Sequence, residues 1–116
     1  MEQKFVLEKD LNEAKIKEWC TQFGEFNKLR RPDKDHIVNQ LCTIVKWYDG
    51  KRSLSDLGHF LKAVIQNDFI NATCRADLAN YRCLCVYAKF LYNMIPMDYV
   101  EKLHISEAVQ KMFTEK

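Results

Sequence analysis

Apolar residues recur along this chain every three or four positions, the period of amphipathic helices, and no segment alternates in the manner of a strand. The clearest stripe, Ile37, Val38, Leu41, Ile44, Val45 and Tyr48, follows Pro32, which suits a helix's first turn, and ends at Asp49-Gly50. Before it, LNEAKIKEWCTQF reads as a helix capped by Asp10 that ends or bends at Gly24. After it, Leu54, Leu57, Phe60, Leu61, Val64 and Ile65 predict a helix starting at Ser53 or Ser55 and stopping within Gln66-Asn67-Asp68. Asn67 tolerates the left-handed conformation found just past a helix, and Asp68 is placed to cap the short run FINATC.

Asp77 similarly precedes LANYRCLCVYAKFLYNM, a long predicted helix whose apolar face is Tyr81, Leu84, Cys85, Ala88, Leu91 and Tyr92, with Pro96 beyond its end. A final helix covers Tyr99 to Phe113, with Ser106 as an internal cap candidate. The whole reads as an all-α fold, a compact single-domain bundle of five to six helices over residues 1-116. Phe5, Trp47, Tyr48 and Phe113 either complete the core or meet another subunit of a small homo-oligomer.

Composition supports a folded chain: 47% of residues are apolar and 29% charged, with only three glycines and two prolines. The net charge of +2 comes from 18 basic and 16 acidic side chains dispersed along the sequence, so nucleic acid is not the favoured partner. Two local basic groups stand out, Lys28, Arg30, Arg31 and Lys34, then Lys51 and Arg52; together they define the alternative reading, a nucleic-acid-associated regulator. The opening MEQKFVLEKD is charged where a signal sequence is apolar, and no segment has the apolar length of a membrane span. The expectation is a cytoplasmic chain without membrane contact, its five cysteines free in a reducing compartment.

Little in the sequence points to catalysis. His36, His59 and His104 lack the i, i+4 partner of a helical zinc site, and Cys83 and Cys85 would project about 200° apart on a helix. Glycine-rich phosphate loops and nucleophile-elbow motifs are missing. No cofactor, metal or catalytic residue is therefore expected. The unusual interval is QNDFINATCRADLAN, residues 66–80, where polar side chains crowd between two apolar stretches. Asp68 and Asp77 are explained as caps, each worth about 1 kcal/mol. Arg75, lying between them, is placed to bridge both carboxylates, while Asn67, Arg75, Asn80, Tyr81 and Arg82 form the candidate surface for a ligand or partner.

The segment Gly58 to Pro96 resembles a pattern in small phage and prophage proteins of unassigned function: G-x-F-L-x-A-V-L-x-N-D-L, a spacer, R-A-D-x-x-N, then F-L-Y-N-x-x-P. Gly58, Phe60, Leu61, Ala63, Val64, Asn67, Asp68, Arg75, Ala76, Asp77, Asn80, Phe90, Leu91, Tyr92, Asn93 and Pro96 fit it, while Ile65 and Phe69 replace leucines. The resemblance implies phage or prophage origin and work in the bacterial host cytoplasm. It carries over no reaction. The functional expectation is a non-enzymatic accessory protein that counters or modulates a host defence system by binding, either a host protein or a small nucleotide-like signal.

Overall fold

The computed structural model describes residues 11–96 and 98–114, the last helix by backbone alone at 99, 106, 109, 110, 113 and 114. A cap at Asp10 and any role of Phe5 lie outside these residues. The first described helix, α1 (Glu13–Cys20), is capped by Asn12, whose side chain accepts the Lys15 N–H at 2.9 Å. Its buried face is Ile16 and Cys20, and Trp19 leans edge-on against Phe23 and Phe90. Gly24 opens a one-turn helix, α2 (Gly24–Asn27), which buries Phe26.

The backbone of the fold is α3 (Arg31–Tyr48), entered through Pro32 in its first turn. It buries Ile37, Val38, Leu41, Ile44, Val45, Trp47 and Tyr48, and α1 packs along it. Burying side chains of this size contributes roughly 1.5–3 kcal/mol each before the entropy of ordering them. Gly50 closes α3 in the left-handed region, φ 83°, with the Lys51 N–H on the Lys46 carbonyl at 2.8 Å.

A serine-capped helix does not form next. Leu54–Asp56 is a single 3₁₀ turn in which the Ser53 and Ser55 hydroxyls meet each other at 3.1 Å, and α4 (His59–Ile65) begins only after Gly58. The tight turn followed by extended backbone at Leu57 buries Leu54 and Leu57 together, and glycine, a poor helix former, sits at the new start. Asn67 ends α4 at φ 58°, with the Asp68 N–H on Ala63 and the Asn67 N–H on Val64. Those two bonds satisfy carbonyls that the helix end would otherwise orphan.

Asp68 then starts α5 (Phe69–Arg75), which packs against α4 as a tight corner, and Asp77 starts α6 (Leu78–Arg82). The long helix predicted from Asp77 to Met94 is broken at the wholly buried Cys83 and resumes as α7 (Leu84–Met94). Cys83 buries while Cys85 is exposed. Ile95, extended ahead of Pro96 as that ring demands, leads to α8 (Tyr99–Thr114), which passes Ser106 without interruption.

The described residues thus contain eight α-helices and no strand, a single all-α domain. Two helices beyond the expected six arise from the separate turn at Gly24 and the break at Cys83. None of the helices is long and apolar enough to cross a membrane.

Candidate functional site

The polar interval from Asn67 to Arg82 is drawn apart by the fold. Asp68 accepts the Asn71 N–H at 3.2 Å and the Asn71 side-chain amide at 2.7 Å. These bonds, with the nearby Arg75 charge, hold its carboxyl below the ordinary value of 3.8 and keep it ionised. Asp77 accepts the Asn80 N–H at 2.8 Å and faces His36 at 4.0 Å. Arg75 is exposed, and among the described residues it forms no ion pair with either carboxylate. The bridge expected from Arg75 between the two aspartates is absent because each carboxylate turns onto the helix it caps.

Asn80 goes inward. It is 4% exposed and its side-chain oxygen accepts the Tyr87 hydroxyl at 2.6 Å. Burial pushes the Tyr87 phenol far above its ordinary range, against a smaller downward influence from Gln40. A ligand has no access to this amide. Tyr81 and Arg82 are exposed, and Arg82 borders a shallow hollow of about 280 Å³ shared with Asp33 and Asp77. Two carboxylates there oppose an anion.

The larger feature lies on the other side of the corner. An apolar groove of about 680 Å³ lies between the α4–α5 corner and α7, with Ile95 and Val100 also among its lining residues. Small residues, Ala63, Ala72 and Ala88, line it, and the aromatic rings of Phe69 and Tyr92 stand on its walls, 73% and 82% exposed. Its polar contributions are Asn67 and the ionised Asp68 at the corner. Among the described residues, no lysine, arginine or histidine lines it.

α7 explains why the groove exists. Its core face is Val86, Tyr87 and Phe90, with Tyr87 edge-on to Phe60 at 5.2 Å. The stripe Leu84, Cys85, Ala88, Leu91 and Tyr92, expected from sequence to be the core face, instead lines the groove, with only Leu91 also buried. A helix apolar on more than one side needs a second covering surface. That excess was visible in LCVYAKFLY; which side would remain uncovered was not.

Comparison of the chain with protein-family models, with curated proteins and with solved structures gives no match in any of the three.

The two basic groups of the alternative reading are separated by the length of α3. Arg30 and Arg31 stand exposed at its start, with Lys34 over the Phe26 ring at 5.9 Å, and Lys51 and Arg52 follow its far end. Eighteen residues of helix place the ends about 27 Å apart. They do not form the common basic end that phosphate contact would require. Of the residues expected either to complete the core or to meet another subunit, Trp47 and Tyr48 are buried in the core, Tyr48 donating its hydroxyl to the Asp98 carboxylate and carrying the Lys102 ammonium 4.3 Å above its ring.

Proposed function

We propose that this chain is a phage-derived, non-enzymatic accessory protein that works in the host cytoplasm by binding a host protein, countering or modulating a defence system. The groove between the α4–α5 corner and α7 is the binding surface. It receives one apolar face of an amphipathic helix from the partner.

The observation that carries this reading is the groove's lining: small side chains along its length that admit a helix backbone, flanked by the exposed rings of Phe69 and Tyr92. The eleven-residue α7 gives it a length of about 16 Å, three helical turns. A partner helix would fit with apolar anchors at i, i+3 or i+4, and i+7. A nucleotide-like signal fits less well, because among the described residues Asp68 is the charged group in the groove while Arg75 and Arg82 do not line it. The phage context comes from the resemblance of Gly58–Pro96, and the defence role is the hypothesis that this context suggests for a small binding protein.

The test is a photo-reactive phenylalanine analogue placed at position 69, at 92 and, as control, at exposed Lys46 on α3, in protein expressed in the bacterial host. The expected result is the same host protein cross-linked from 69 and 92 and not from 46. Cross-linking that is equal from all three positions, or absent from 69 and 92, overturns the reading.

A further inference from the structure

α8 carries an apolar stripe that stays exposed among the described residues. Its inner side is held to the body by the buried Leu103, by Lys102 donating to the Tyr48 carbonyl at 3.1 Å, and by Gln66 donating to Glu107 at 2.9 Å. Ile105 lies about 200° from Leu103 around the helix, and Met112 follows Ile105 at i+7 on the same side. These two are 64% and 72% exposed, with exposed Ala108 between them. Ile105, Ala108 and Met112 make the i, i+3, i+7 set that a helix-binding groove takes.

The same chain therefore presents an open groove and a helix of the matching kind, and its own α8 is docked by the opposite face. We infer that a second copy of this chain supplies the occupant: the outer stripe of α8 from each protomer lies in the groove of the other, a reciprocal two-fold dimer. This inference rests on the reading of the groove as a helix acceptor.

Exposed area supports a second copy. Phe69, Tyr92 and Val100 along the groove and Ile105 and Met112 on α8 are between 45% and 82% exposed. At on the order of 130 Å² each they present roughly 650 Å², close to the ~800 Å² that one partner contributes to a standard interface. Among the described residues no further element covers these side chains. A host helix entering the groove would then displace the partner's α8, and host binding and self-association would compete.

Sedimentation of the full chain over a concentration series tests this directly, using Phe69→Glu to spoil the groove and Met112→Glu to spoil the α8 stripe. Both positions are exposed, and a thermal melt checks folding; Tyr92→Glu replaces Phe69→Glu if that variant melts early. Wild type is expected to dimerise and each variant to weaken the dimer by about 30-fold or more. Mixing the two variants is expected to restore a mixed dimer, because one intact groove then meets one intact α8. A monomeric wild type, a Met112→Glu dimer of undiminished stability, or a mixture no tighter than either variant alone overturns the inference. A monomer that still cross-links a host protein through position 92 leaves the groove reading standing; a chain that neither dimerises nor cross-links sinks both.

Discussion

The Tyr87 hydroxyl donates to the Asn80 side chain at 2.6 Å inside the core, across the break at Cys83 that divides α6 from α7. Removing either partner leaves a buried polar atom short of its bond. Asn80→Ala and Tyr87→Phe should each cost about 1–3 kcal/mol in urea denaturation. The double variant should cost less than their sum by at least about 0.5 kcal/mol, since the two sites share one bond. Additive losses would show that the bond contributes nothing.

Asp77 and Arg75 should separate cleanly in the same assay. Asp77→Ala deletes the cap that holds the Asn80 N–H, and should cost about 1 kcal/mol. Arg75→Ala removes an exposed side chain with no ion pair to either neighbouring aspartate, and should stay within about 0.5 kcal/mol of wild type. A large melting-point loss for Arg75→Ala would mean that the guanidinium does lock the corner.

In the groove, stability and binding should part company. Phe69→Ala and Tyr92→Ala remove exposed rings, so the fold should change by no more than about 0.5 kcal/mol while cross-linking to the partner is lost. Cys85, exposed and lining the groove, should react with a maleimide in the dilute monomer and be shielded when a host helix or a second copy fills the groove. Exposed Cys74, which does not line the groove, serves as the internal standard. Equal shielding of both thiols would place the partner elsewhere.

The buried thiols predict an alkaline limit. Burial pushes Cys83 from its ordinary value of 9.0 up to about 11 and Cys20 up to about 12. The folded state therefore favours the protonated thiol, and unfolding at high pH releases protons. Their contribution is complete below pH 9.0 and is lost as pH rises through the folded values of about 11 and about 12. Cys83→Ala should flatten this decline in melting temperature above pH 9.0; an unchanged slope would assign the decline to other groups.

Much of the local structure could be read from the chain because its causes are local. The stripe from Ile37 to Tyr48 made α3, and Asn67, Asp68 and Asp77 act on backbone groups within five residues of themselves. Errors arose where burial overrode these local preferences. Ser53 and Ser55 are good caps in isolation, yet burying both Leu54 and Leu57 favours a 3₁₀ turn and delays α4 to His59. The run from Leu78 to Met94 looks like one helix, and it breaks at Cys83, where Asn80 and Tyr87 meet on the buried side.

The all-helical domain follows from the order of residues alone, because periodicity and capping are properties of neighbouring residues. Only the tertiary structure decided which polar residues face outward and which apolar ones stay uncovered. Asn80 and Arg82 are two positions apart, and packing against Tyr87 buries one while the other meets solvent. Tyr87 and Tyr92 both belong to α7, but its orientation over Phe60 sends Tyr87 into the core and leaves Tyr92 on the wall of an open groove. Which of two apolar faces is covered depends on elements distant in the chain, and no local pattern encodes that choice.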